Sequence, residues 1–373
     1  MKKYLILAAT TVFVLGACSK NEVDVNVDKV PVTFGTYVGM TKATTGDIDL
    51  DGLKSSEDGF GVYCYYSDNS SYNSSSSTPN FMLNQKVYNS NHSSHSAGAD
   101  ATWTYTPIKY WPNEYGDGAN STTTDKLTFR AYAPYSTGST NNISNLPDKN
   151  STATTLTYTV DNSNQVDLLW ASNAVGSLTD LTKKNVTVTS TVDFTFSHAL
   201  SKITFSHQAV VDQVNPSSGA LATGTTITLN SITIDGTTIK KSGVFNFATG
   251  EWGTLTAGAT PTNDISLTSL NANVTNSLTA ISNKEFFVIP NASNSMKITV
   301  DYTVNTADSA YGEGGTVSTN NTIYKTATFA LVAGKVYDIK LLLGMTSIKV
   351  GVDVSDWGSP AESTEIDLPE NKS

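Results

Sequence analysis

Apolar and polar side chains alternate with a period of two along much of the chain, which restricts it to β-structure. Val192-Asp-Phe-Thr-Phe-Ser-His198 alternates, Leu200-Ser-Lys-Ile-Thr-Phe-Ser-His207 alternates after it, and Thr225–Ile234 is a β-branched run. Successive side chains of a strand point to opposite faces, so these segments suit sheets with one buried face. Further strand candidates are Val30–Val38, Gly59–Tyr66, Phe81–Tyr88, Thr102–Thr106, Leu127–Ala133, Leu156–Val160 and Leu168–Ala171, then Lys284–Pro290, Met296–Val304, Ile323–Leu331 and Val336–Leu343. Gly243–Trp252 reads as a hairpin, with Gly250 free to take the left-handed backbone position of its turn. Residues 67–80, 90–100 and 113–125 are rich in turn-forming residues, lack periodicity and read as loops. No stretch carries the 3.6-residue period of an amphipathic helix, and only 162–166 and 175–181 offer room for a short turn. Many short strands at regular spacing argue an all-β chain of β-sandwich class. Polar residues 182–191 separate two series of strands, so the expected division is 30–190 and 191–373.

Charge excludes one broad class of function. Only 15% of the 373 residues are charged, the formal net charge is -10, and Arg130 is the single arginine. A nucleic-acid binder needs a basic face to neutralise phosphates, so no nucleic-acid partner is expected.

The front of the chain carries an export signal. Lys2 and Lys3 precede an apolar run from Tyr4 to Leu15, which ends in small residues, as in a secretory leader. The run is short for a membrane-spanning helix. Leu15-Gly16-Ala17-Cys18 resembles the lipobox of bacterial lipoproteins. That resemblance implies that residues 1–17 are removed, that Cys18 becomes the acylated first residue, and that residues 18–29 form a polar tether from the membrane. Cys64 is then the one remaining cysteine, so no intrachain disulfide forms. It lies in Phe60-Gly-Val-Tyr-Cys-Tyr-Tyr and reads as a small buried side chain.

Motifs that carry catalysis are missing from the pattern. There is no Gly-x-Ser-x-Gly elbow and no phosphate-cradling glycine loop, so neither an enzyme nor a cofactor is expected. His92-Ser-Ser-His95 has a metal-compatible spacing but sits on a Ser/Asn-rich loop without cysteines or carboxylate pairs, and no metal site is assigned. His198 and His207 end strand candidates, where local hydrogen bonds satisfy them. Trp103, Tyr105, Tyr110 and Trp111 fit either a sugar-stacking platform or core and edge packing; their alternation favours packing.

Several ordered segments together resemble the fimbrillin family of Bacteroidetes, the subunits of type V pili. They are Trp103-Thr-Tyr-Thr-Pro-Ile-Lys-Tyr-Trp-Pro112, Leu127-Thr-Phe-Arg-Ala-Tyr-Ala-Pro134, Asp167-Leu-Leu-Trp-Ala171 and Phe196-Ser-His-Ala-Leu-Ser-Lys-Ile203, followed by Gly243–Trp252, Ala333-Gly-Lys-Val-Tyr-Asp-Ile339 and Val350-Gly-Val-Asp-Val-Ser-Asp-Trp357. The resemblance implies two β-sandwich domains of transthyretin-like type in tandem, on a lipoprotein carried to the outer-membrane surface. It also implies assembly by donor-strand exchange, in which a protease removes the first strand and another subunit's C-terminal segment fills the groove. A vacated strand leaves unpaired backbone and an apolar slot, which an added strand satisfies.

Mapped onto this chain, the strand to be lost is Val30–Met40 and the cut falls between Lys42 and Ala43. The family often has arginine at the cut, so either a lysine-accepting protease acts here or the subunit is unprocessed and serves as an anchor. The donor candidate is Thr346–Leu368, in which Ile348, Val350, Val352 and Val354 share one face. Implied partners are other fimbrillin subunits, in a homo- or heteropolymer, the outer membrane through the lipid, and a host or bacterial adhesion target. Asp308-Ser309-Ala310 matches the short O-glycosylation pattern of the phylum. The alternative is a surface lipoprotein that binds glycan or host ligand without polymerising.

Replacing Cys18 with serine removes the thiol to be acylated. Cell fractionation is expected to show the C18S protein lost from the outer membrane, with its leader uncut by the lipoprotein route.

Overall fold

The computed structural model describes residues 30–38, 48–68, 70–112, 125–172, 177–182, 191–210, 221, 224–308, 310, 315–357 and 364–367. The apolar run Phe60–Ser67 lies inside a seven-stranded sheet buried on both faces, and this is why it is continuous rather than alternating. Val62 and Cys64 face one core, while Tyr63 and Tyr65 face a second. Across this sheet the order is Thr33–Val38, Thr191–His198, Leu169–Ala171, Lys126–Ala133, Phe60–Ser67, Met82–Asn89 and Trp103–Thr104.

Against its tyrosine-rich face lies a four-stranded sheet with the order Glu251–Ala257, Lys240–Asn246, Thr155–Thr159 and Ile143–Ser144. Leu156, Tyr158 and Phe245 of this sheet meet Tyr63, Tyr65 and Tyr132 of the first. A third sheet joins Ile265–Leu267, Thr225–Ile234, Asn291–Ala307 and Thr316–Leu331. A fourth joins Thr279–Ala280, Ser201–Ala209, Lys335–Leu343, Ile348–Asp356 and Thr364–Asp367, with Phe286–Val288 also on Ser201–Ala209. The third and fourth sheets enclose one aliphatic core that includes Ile227, Ile298, Ile339 and Val352. The protein is therefore all-β and built of layered sheets.

Pairing crosses the division expected at 190/191. Thr191–His198 belongs to the first sheet, parallel to Thr33–Val38 and antiparallel to Leu169–Ala171. Lys240–Asn246 pairs with Thr155–Thr159 and carries Glu251–Ala257 on its other edge, so with Thr191–His198 the later half of the chain supplies three strands to the earlier sandwich. Composition marked a loop at 182–191, but sheet membership depends on long-range partners that a local window does not contain.

A short helix, Leu50–Ser55, interrupts the strands and was not expected from the sequence. The Asp49 carboxylate caps it by accepting the Gly52 N–H at 2.6 Å. Six residues make less than two turns, too few for a helical period to show. The hairpin near 250 forms as its sequence suggests, with Gly250 at φ +76.

A Cβ at Gly250 would stand 2.1 Å from Trp170 Cζ2 as well as straining the backbone. Gly250→Ala is expected to destabilise the protein by about 1–3 kcal/mol, read by denaturant unfolding.

Candidate functional site

The first strand is an end strand of the seven-stranded sheet, and the residues just before it bond to the loop segment Lys109–Trp111. On one side Thr33–Val38 runs parallel to Thr191–Phe196 in unbroken register. On the other side Val32 N–H donates to the Lys109 carbonyl and Trp111 N–H to the Val30 carbonyl, both at 2.9 Å. The Tyr105 hydroxyl donates to the Val32 carbonyl at 2.8 Å. Backbone groups of both neighbours are thus satisfied by one short segment.

Its side chains fill the space beneath. Val32, Phe34 and Val38 are buried, and Tyr37 turns outward. Phe34 stacks on Phe194 at 5.5 Å and meets Phe60, Phe129 and Tyr105 within 6.3 Å. Aromatic pairs at these separations contribute beyond the area they bury. Removal of the segment would leave an aromatic-floored slot with a bonding edge on each side.

The terminal segment occupies the far end of the molecule's fourth sheet. Ile348–Asp356 pairs antiparallel with Lys335–Leu343, and Thr364–Asp367 pairs with its outer edge. Ile348, Val350 and Val352 are buried in the aliphatic core, and the half-buried Val354 packs against it. In the monomer this segment is therefore not free, as a donor awaiting a partner would be. Its apolar face is occupied by its own subunit, since alternation that suits a neighbour's groove equally suits the home core. Ile366 is paired through its backbone with Val352. Cys18, Lys42, Ala43, Ser309 and Leu368 lie outside the described residues.

Other candidate residues resolve into packing. Trp111 and Tyr105 are buried and Trp103 is half-buried against the same core, which leaves Tyr110 as the exposed member of that group. His95 Nε2 lies 3.1 Å from Asp51 Oδ1, and Gly98 N–H also donates to that carboxylate. The His95 bond is the main influence holding the Asp51 carboxyl below its usual range. Among the described residues no three metal-capable side chains gather. Cys64 is a buried free thiol whose ionisation burial pushes well up, so it packs as an apolar group. Arg130 is buried too: its guanidinium donates to the Phe129 carbonyl at 2.7 Å and to Thr179 Oγ1 at 3.2 Å, and lies over the Tyr72 ring. Burial lowers the pKa of Arg130 from its ordinary value.

A buried polar cluster at the junction of the sheets escaped sequence reasoning. His198 Nδ1 lies 2.8 Å from Asp167 Oδ2, and the same carboxylate oxygen accepts the Ile48 N–H at 3.2 Å. Beside it the Lys202 ammonium pairs with Glu285 at 3.0 Å. These residues are far apart in sequence, and no local pattern announces their meeting.

The sequence model of the fimbrillin-like family matches residues 41–357, the greater part of the chain. The chain belongs to the fimbrillin-like family. No curated protein matches it. A fimbrial protein from Bacteroides vulgatus is similar in fold, with a TM-score of 0.65 at 22% identity over 87% of this chain and 99% of that one. A candidate cell adhesion protein from Bacteroides uniformis aligns over 88% of this chain and 99% of its own, at 20% identity and a TM-score of 0.42. A fimbrial assembly protein from Parabacteroides distasonis aligns over 88% and 100%, at 12% identity and a TM-score of 0.29. The sequence resemblance thus has its counterpart in the family match, and the sandwich fold in the Bacteroides vulgatus structure. No helix among the described residues of this fimbrillin-like chain is long and apolar enough to cross a membrane.

Phe34 bears the largest share of the slot's packing. Phe34→Ala is expected to cost about 3–5 kcal/mol, the range for a buried aromatic truncated to alanine. Chemical denaturation of the uncut protein measures it, and a loss near zero would remove the first strand from the core.

Proposed function

We propose that the protein is a structural subunit of a surface fimbria, tethered to the outer membrane through acylated Cys18. A cut between Lys42 and Ala43 then removes residues 18–42, taking the lipid tether and the first strand together and leaving Ala43 as the N-terminus. The terminal segment of another subunit then enters the slot, with Ile348, Val350, Val352 and Val354 directed into it. The polymer presents an adhesive surface. Acylation and cleavage are the work of other enzymes, and this chain's own part in the function is structural.

The observation that carries this reading is that residues 30–38 bond two separate neighbours, residues 30–32 the segment Lys109–Trp111 and Thr33–Val38 the strand Thr191–Phe196. A segment bonded at both edges, with Phe34 as its apolar plug, leaves a strand-shaped vacancy when it goes. Strand addition answers such a vacancy through main-chain hydrogen bonds for affinity and alternate side-chain pockets for register. Family membership supplies the biological setting.

Because the terminal segment is already seated in its own sheet, donation requires it to leave that sheet first. Three buried aliphatic side chains are exposed in transit, at roughly 1.5–3 kcal/mol each, and are buried again in the partner. Exchange is therefore nearly balanced in apolar area and is driven by the open slot. Deleting Thr346–Ser373 would also damage the home core, so a reversible lock is the cleaner probe.

Lys340 and Gly351 face each other across the two strands. A Cβ built on Gly351 stands 3.8 Å from Lys340 Cβ, within the range a disulfide bridges. The Lys340→Cys, Gly351→Cys variant is expected to stay monomeric when oxidised and to form fibres after reduction, as seen by electron microscopy. Fibres of normal length from the oxidised protein would rule out donation by this segment. N-terminal sequencing of the surface protein, giving Ala43 rather than Cys18, tests the cut independently.

A further inference from the structure

The geometry points to a latch at Trp357 that holds the terminal hairpin in place and is itself set by the first strand. The hairpin, Ile348–Asp356 with Thr364–Asp367, is anchored in two places of different character. Its aliphatic face enters the core between the third and fourth sheets. Trp357, directly after the first arm, belongs to the other core, which includes Tyr63, Tyr158, Leu200, Phe245 and Phe287. One residue between the two arms thus ties the hairpin to the earlier sandwich.

The seat of Trp357 is built for a flat ring. Its indole lies parallel to the His198 imidazole, with centroids 4.0 Å apart and planes 3° apart. Phe287 stacks on it at 5.5 Å and 17°, and Lys202 Nζ stands 5.1 Å from the ring centroid. The backbone N–H of Trp357 donates to the Gly334 carbonyl at 2.9 Å, and Gly334 N–H donates to the Leu200 carbonyl at 2.8 Å. Trp357 is 6% exposed. Stacking, a cation over the ring and burial of a large aromatic make this the strongest local contact at the end of the hairpin's first arm.

His198, which the ring rests on, is held by the N-terminal sandwich, where its backbone pairs with Leu169. It is the last residue of Thr191–His198, the strand whose first six residues pair with Thr33–Val38. Its Nδ1 is fixed by Asp167, whose carboxylate also accepts the Ile48 N–H. Ile48 lies five residues beyond Ala43 in the sequence. Two of the supports of His198 thus reach the chain on either side of Lys42, Thr33–Val38 through its strand and Ile48 through Asp167, while Leu169 pairs with its backbone directly.

The consequence is mechanical coupling. While the first strand is in its slot, Thr191–His198 is braced on both edges, His198 is fixed, and Trp357 is held. Loss of the first strand unbraces one edge, His198 loosens, and the Trp357 contact is the part of the hairpin's attachment that weakens first. A vacated slot and a released donor then arise in the same subunit from one cut. The latch rests on the strand-exchange reading for its purpose but not for its measurement, which is made on the uncut monomer.

Hydrogen exchange by mass spectrometry on the full chain tests it. Trp357→Ala is expected to speed exchange of residues 348–356 by about tenfold or more, with residues 225–234 unchanged, while Trp357→Phe preserves slow exchange. Val38→Ala, which trims the first strand beside Phe196, is expected to speed exchange at 191–198 and, with it, at 348–356. In the Trp357→Ala background it should add nothing at 348–356. The latch is overturned if Trp357→Ala leaves 348–356 at the parent rate or loosens the whole aliphatic core uniformly. It is equally overturned if Val38→Ala loosens 191–198 alone. Fibres from the oxidised disulfide variant would sink the donor role while leaving these exchange results intact, so the two failures are distinguishable.

Discussion

The parallel pairing of Thr33–Val38 with Thr191–Phe196, plugged by Phe34, is the contact on which the N-terminal sandwich depends. The first strand ends the seven-stranded sheet, pairing with Thr191–Phe196 while Val30 and Val32 bond the segment Lys109–Trp111, and it buries an aromatic wedge beneath. Parallel neighbours far apart in sequence are costly to bring together, because loop closure precedes any reward. Once formed, the contact makes one short segment answer for the integrity of a whole face. A segment with that role is stabilising while present and leaves a specific vacancy when absent.

The two sandwiches are linked by more than a connecting chain. Lys240–Asn246 of the later half completes the four-stranded sheet of the earlier half, and Trp357 packs into the same core. At this junction two side-chain pairs are buried, His198 with Asp167 and Lys202 with Glu285, while Asp167 Oδ1, His198 Nε2 and Trp357 Nε1 are among the described buried atoms without a hydrogen-bond partner. Such pairs are expensive to desolvate and add little net stability over an apolar packing of the same shape. Their value is geometric, since a buried charge tolerates only the arrangement that satisfies it.

Much of the strand layout was legible because alternation reports a half-buried face directly. Thr225–Ile234 has the bounds its β-branched run suggested, and Gly250 takes the positive φ its hairpin demanded. Signals failed where local sequence carried no period. The six-residue helix Leu50–Ser55 and the two- and three-residue strands such as Ile143–Ser144 and Ile265–Leu267 are too short to show one. The hairpin arms Asn291–Ala307 and Thr316–Leu331 run well past their apolar stretches into exposed Thr, Ser and Asn, because their pairing with each other, not burial, sustains them.

By itself the sequence determined the all-β class, the inward faces of most strands, the burial of Cys64, and the order of segments that marks the fimbrillin-like family. Each of these follows from local chemistry: side-chain period, backbone freedom of glycine, and residue identity along a line. Only the tertiary structure decided which sheet each strand joins, where Thr191–His198 crosses to meet Thr33–Val38, that the terminal segment is seated in its own core, and that His198, Asp167, Ile48 and Trp357 meet. Those facts rest on contacts between residues that no single local window contains, 31 positions apart for His198 and Asp167 and 158 for Thr33 and Thr191, and a strand's alternation fixes its apolar face without fixing its partner.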